Sequence, residues 1–205
     1  MTSTRSSGAL PAEAARWLAV DLGSRPAQVV VAGATGGTGA TTLTALVARC
    51  LATYRAPTRP RPSVAVLDHD GGTVHERSGA PAAGSPADAD VLLRCLGAQA
   101  LNPEPTLLDD PTVVAVVVVP WHQDGLGMGE NAADRLGVER TVVVPVDVTR
   151  ARTGGAVLGL PWDRALAAPG EISGGALAPV TRRAVLAVTA EVLSAARRVA
   201  VLTAR

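Results

Sequence analysis

The chain of 205 residues has a formal net charge of +1 and is 47% apolar. That composition excludes a disordered chain, and the near-neutral balance gives no bulk electrostatic signal for nucleic acid or a membrane surface. Aromatics make up 2%, with no Phe, so the core has to be built from Val, Leu and Ala, as in a buried, mostly parallel sheet covered by helices.

All 19 basic residues are arginine. Base-composition bias accounts for this, yet Arg replaces Lys poorly where a phosphate is met end-on. The length suits one α/β domain over residues 25–205, preceded by a tail and helix over residues 1–24. Cys50 and Cys95 sit in apolar helical patterns and read as buried thiols of a reducing compartment. Together with His69, His75 and His122 they form no zinc signature. Without a signal-peptide core or an apolar run near ~18 residues, the expected location is the cytoplasm.

In chain order, Met1 to Leu10 is a Ser/Thr-rich tail, and Pro11 to Leu22 has helical spacing in Ala14, Trp17, Leu18 and Leu22. Val29 to Ala32 is the first strand. Thr41 to Tyr54 is the first long helix, with Leu43, Leu46, Val47, Cys50 and Leu51 on one face. A proline-rich link over Ala56 to Pro62 leads to a second strand, Ser63 to Asp68, which completes a parallel, right-handed βαβ unit. Asp68-His69-Asp70-Gly71-Gly72 follows at the strand's C-terminal edge, where ligands sit in such sheets. Gly79 to Pro86 reads as loop and Ala87 to Leu96 as a short helix.

Val113 to Val119 is a continuous apolar run, expected to be a central strand ended by Pro120. Leu126 to Leu136 reads as a helix weakened by glycines. Thr141 to Val148 is a strand in which Pro145 calls for a bend or an edge position. A short last strand over Ala156 to Leu160 precedes Pro161-Trp162-Asp163-Arg164, and Pro179 to Ala204 is a long terminal helix. Its arginines, Arg182, Arg183, Arg197, Arg198 and Arg205, are expected in solvent while the helix packs on the sheet; the competing role is a membrane-surface helix.

The most informative stretch runs from Val29 to Thr44. A β-branched run meets a glycine cluster, Gly33-Ala34-Thr35-Gly36-Gly37-Thr38-Gly39-Ala40, and Thr41-Thr42 opens the helix. Strand, glycine loop and helix N-terminus in that order make an anion cradle of converging N–H groups. The phosphate-loop pattern Gly-x-x-x-x-Gly-Lys-Ser/Thr, aligned on Gly39, puts Ala40 at the lysine and Thr41 at the hydroxyl that holds Mg²⁺. The glycine spacing and the Gly33-Ala34-Thr35-Gly36 run also resemble the dinucleotide loop of extended and atypical short-chain dehydrogenases. Those enzymes usually carry a Tyr-x-x-x-Lys pair. Here the one tyrosine is Tyr54 and there is no lysine, so only a non-catalytic NADP sensor is compatible with that resemblance.

Thr35-Gly36-Gly37-Thr38-Gly39-Ala40-Thr41-Thr42 resembles the Lys-Gly-Gly-x-Gly-Lys-Thr-Thr loop of the deviant-Walker ATPases of the ParA/MinD type. Three further segments are similar to that family: the second strand ending in Asp68-His69-Asp70, the Pro161-Trp162-Asp163 segment, and the start of the terminal helix at Thr181-Arg182-Arg183, which resembles especially that of actinobacterial MinD-like proteins. The resemblance implies a P-loop NTPase-like, three-layer α/β/α domain with a mostly parallel sheet. It implies ATP or ADP with Mg²⁺ at Gly36, Gly37, Thr38, Gly39, Ala40, Thr41 and Thr42, Thr41 and Asp68 toward the metal, and Asp70 as the switch carboxylate near the attacking water.

Both family lysines are missing, at Ala40 and at Thr35, and the Val116 to Val119 strand runs into Pro120-Trp121 with no Walker-B aspartate; Asp109-Asp110 lie at its other end. Preorganised charge of this kind is commonly worth ~3–4 kcal/mol per group. The expectation is therefore a pseudo-ATPase that binds nucleotide weakly or not at all and works as a scaffold or regulator through protein partners. The alternatives are the NADP sensor and a pure interaction protein with a vestigial pocket. Thr35 in place of the cross-dimer lysine argues against a nucleotide-locked homodimer, leaving other homodimers open. His122 and Asp124 have the spacing of an acid–base dyad but no nucleophile nearby in sequence. Trp121 and Trp162 end strands on the expected ligand side.

Overall fold

A computed structural model describes residues 22, 26–53, 62–69, 71, 73–79, 86–102, 104, 106–150 and 158–204. The tail, most of the N-terminal helix (Leu22 apart), Tyr54, nearly all of the proline-rich link and Asp70 lie outside the described residues. The strands are β1 (Ala27–Gly33), β2 (Val64–Asp68), β3 (Val91–Cys95), β4 (Val114–Pro120) and β5 (Thr141–Val146). The helices are α1 (Ala40–Thr53), α2 (Val74–Ser78), α3 (Gln123–Leu136), α4 (Arg164–Ala167) and α5 (Pro179–Thr203). The strands form one sheet in the order β2-β3-β1-β4-β5, and every pairing is parallel.

Strand alternation sorts the side chains into two layers. Val29 and Val31 of β1, Val114, Val116 and Val118 of β4, and Val142 and Val144 of β5 face α1 and α5. Val30 and Ala32 of β1, with Ala115, Val117 and Val119 of β4, face α3 through Ala132 and Leu136. Helices on both faces give a three-layer α/β/α architecture, in keeping with the helix-covered parallel sheet expected from composition. Because β4 is covered on both sides, it reads as an unbroken valine run rather than an alternation. Each buried Val there stabilises by about 1.5–3 kcal/mol relative to exposure.

The sheet differs from the sequence reading most at β3. Val91-Leu92-Leu93-Arg94-Cys95 is a strand, not part of a helix over Ala87 to Leu96; only Pro86–Asp88 is helical, as a single 3₁₀ turn. Short apolar runs are ambiguous between the two periods, and the backbone here is committed by pairing to β1 on one side and β2 on the other. The insertion also separates β1 from β2, so the first βαβ unit is parallel but its strands are not neighbours. Two other expectations change. The last strand reduces to an isolated bridge from Leu160 to Val146 within the described residues, and α3 begins at Gln123, three residues earlier than the apolar spacing suggests. Pro145 does lie on an edge strand, paired to Val119 on its inner side.

Candidate functional site

The chain leaves β1 held from both flanks. Gly33 N–H donates to Gly97 O (2.6 Å) and Ala34 N–H to Val118 O (2.8 Å). The loop then turns through Thr35 to Thr38, where buried Thr38 donates its hydroxyl to Thr35 O (3.0 Å). A Cβ on Gly33 would collide with that hydroxyl. Gly37 and Gly39 have φ of 77° and 90°, a left-handed backbone that side chains other than hydrogen resist. Gly39 leads directly into α1, whose first turn carries no acidic residue. Among the described residues no backbone carbonyl accepts from the N–H groups of Ala40, Thr41 or Thr42. Free first-turn amides at a helix N-terminus favour an anion. The predicted residues Gly36, Gly37, Thr38, Gly39, Ala40, Thr41 and Thr42 are therefore brought together as one loop and helix end at the C-terminal edge of the central strand.

The groups expected to act on that anion are placed differently. Ala40, in the lysine position, is buried, and its methyl belongs to the core between α1 and the sheet. Thr41 has Cys95 as its neighbour: Cys95 Sγ lies 4.0 Å from Thr41 Oγ1. Cys95 ends β3, in register with Val31 of β1 and Asp68 of β2. Asp68 is thus separated from the loop strand by a whole strand. Its carboxylate reaches toward Val74 N–H (3.4 Å) at the start of α2, whose N-cap residue Thr73 makes no cap bond itself. The Asp68 end of β2 thus shows turn and capping chemistry. Among the described residues no group of three or more His, Cys, Asp or Glu side chains gathers to hold a metal. Toward Mg²⁺ the site offers the Thr41 hydroxyl beside a thiol.

Sequence reading missed Cys95 because β3 was not recognised; the signal was the Val91-Leu92-Leu93 run, interrupted by Arg94 and stopped at Gly97. The strand taken as the Walker-B candidate, β4, is also a direct neighbour of β1, so β1 is flanked by two strands, and neither β3 nor β4 ends in a carboxylate.

His122 and Asp124 do not form a dyad. His122 caps α3, its Nδ1 accepting from Gly125 N–H (3.2 Å). Trp121 lies with its ring against Gly159, where a Cβ would strike it. Trp162 lies under Arg150, whose guanidinium carbon is 3.6 Å from the ring centre. Asp163 is a structural knot: its carboxylate accepts from Ala165 N–H (2.9 Å) at the start of α4 and from Ala178 N–H (2.8 Å) just before α5. Burial pushes its pKa up, but the Thr181 hydroxyl and these two amides outweigh burial and hold it below the ordinary carboxylate value. Asp109 and Asp110 sit at the opposite edge of the sheet, in a capping box with Thr106 and a turn onto Thr112. No family model matches the chain, and no curated protein matches it either.

Proposed function

We propose that this protein is a degenerate nucleotide-binding domain of the phosphate-loop kind, a pseudo-ATPase that holds nucleotide phosphates weakly and acts through protein contacts. The observation that carries the reading is the Gly33–Thr42 loop, with its left-handed glycines and the free first-turn amides of α1. Backbone amides bind phosphate without a lysine, at reduced strength. Hydrolysis needs more: charge on the transferred group has to be neutralised and the water positioned. Ala40 buried as core, Thr35 exposed without a cationic group, and the Cys95 thiol beside Thr41 supply none of this.

The strand order favours this reading over a dinucleotide sensor. In the dinucleotide fold the strand after the first helix pairs with the glycine-loop strand and brings its acidic residue to the ribose. Here β3 stands between β1 and β2, and Asp68 is directed to α2.

Calorimetric titration of the full chain with ATP, ADP and NADP(H) in Mg²⁺, alongside a phosphate-release assay, tests the proposal. The expected result is micromolar or weaker binding of a nucleoside phosphate with no turnover. Sub-micromolar ATP affinity with steady release would overturn the pseudo-enzyme reading, and binding of NADP(H) alone would replace it with the sensor.

A further inference from the structure

A cavity of about 530 Å³ opens at the N-terminal edge of the sheet, opposite the edge that carries the glycine loop. The starts of β1 and β4 floor it with Ala27 and Val114, and the last turns of α5 wall it with Ala196, Val199 and Ala200. Val114, Ala196 and Val199 are buried core residues, so the cavity reaches down to the main core. Its polar side chains are Gln28, Thr112 and Thr203, and no charged residue lines it. A charged ligand would therefore lose water there without gaining a partner. The C-terminal end of α5 contributes acceptors instead: the last carbonyls of a helix have no intrahelical donor, and the last turn of α5 carries no basic residue. The space fits an apolar body that brings a hydrogen-bond donor of its own.

The chain itself supplies such a group. Leu22 lies on the cavity wall, packed against the main core, and it ends the segment whose spacing predicts an amphipathic helix, Pro11 to Leu22. Trp17 and Leu18 precede it by five and four residues. Even fully extended, the chain keeps Trp17 within ~18 Å of Leu22 and Leu18 within ~14 Å. A tether that short holds its group at an effective concentration in the millimolar range, which favours it over any separate partner. Of the three tryptophans, Trp121 lies against Gly159 and Trp162 under Arg150, which leaves Trp17, outside the described residues, to be placed. Its indole is a large apolar body with a single N–H donor, which a carbonyl at the end of α5 or the Gln28 side-chain oxygen can accept. We infer that the Pro11 to Leu22 segment docks in this cavity as a helix, with Trp17 and Leu18 inserted between the start of β1 and the end of α5. Ala14 shares their side of that helix. The docked segment clamps the two elements together, and its place is independent of what the glycine loop binds.

The test is cross-linking of the full chain with a short bis-maleimide, with circular dichroism as the folding control. Cys50 and Cys95 are buried, which leaves introduced thiols as the reactive ones. Leu18→Cys is combined either with Thr203→Cys, on the cavity wall, or with Val180→Cys, exposed at the other end of α5 and ~34 Å away along the helix. The Leu18 and Thr203 pair is expected to link about 10-fold or more faster than the Leu18 and Val180 pair, within one chain and at a rate independent of protein concentration. Adding Trp17→Ala to the first pair is expected to slow the link several-fold. Equal rates for the two pairs, or no link in either, overturn the docking. Links formed only between chains, fading on dilution, overturn it in favour of a second copy as the occupant. An unchanged rate in Trp17→Ala overturns the assignment of Trp17 as the inserted side chain.

Discussion

Asp163 and Cys50 show how two polar side chains of this valine-rich core are used. Asp163 ties the start of α4 to the start of α5 through two backbone amides. Asp163→Ala is expected to cost about 1–3 kcal/mol by orphaning those donors, read as a lower midpoint in urea unfolding with Thr41 and the loop untouched. Because the folded carboxyl titrates below its unfolded value, its contribution is complete above the unfolded pKa and fades as the solution is acidified through the folded one. Cys50 behaves in the opposite sense. Burial pushes its thiol up to about 12, with the Thr189 hydroxyl pulling slightly the other way. Its contribution is complete below the unfolded value of 9.0 and is lost between there and about 12, as the unfolded thiol ionises and the folded one does not, at a limiting slope of ~1.4 kcal/mol per pH unit. Thermal unfolding from pH 8 to 11 checks this: the alkaline decline should be shallower in Cys50→Ala. Burial of Cys50 was legible from helical spacing. The role of Asp163 was not, because its partners lie 2 and 15 residues away on the amides of two other segments, which composition does not register.

At the scale of elements, α3 is informative because its glycines differ. Gly125 lies so close to the end of β4 that a Cβ would collide with Pro120 O, and one on Gly129 would strike Val143. Gly127, on the same helix, has nothing within 4 Å of that point. In an open helix position Gly→Ala stabilises by roughly 0.5–1 kcal/mol. Gly127→Ala is thus expected to raise the unfolding midpoint, and Gly125→Ala to lower it, because backbone cannot yield as a side-chain tip can. In sequence all three glycines look like flaws in a helix; only the approach of α3 to the sheet separates the permissive one, Gly127, from Gly125 and Gly129. The same limit explains β3. Long, strongly patterned elements such as α1, β4 and α5 were readable from their periods, whereas Val91–Cys95 is too short to carry a period and owes its state to its two neighbours. With β3 unread, Cys95 could not be placed beside Thr41.

For the whole molecule, the glycine loop lies at the C-terminal edge of the sheet beside its central strand, and a nucleotide bound there, as proposed, should report globally. A bound nucleotide at 100-fold over its dissociation constant adds ~2.7 kcal/mol of stability, so a thermal-shift series with nucleoside diphosphates reads the site without any assay of turnover. The α/β class and the glycine loop were visible in the sequence; the strand order, and with it the company the loop keeps, emerged only from pairing. One packing detail bears on the reading proposed for the loop. The methyl of Ala40, in the first turn of α1, is part of the seal between that helix and the sheet. Ala40→Lys is accordingly expected to lower stability by about 1–3 kcal/mol through overpacking and to leave phosphate release at background. If the proposed reading holds, gaining phosphoryl transfer would take a fresh opening in the core at position 40 and a carboxylate near Thr41 together, so neither change alone is expected to produce turnover.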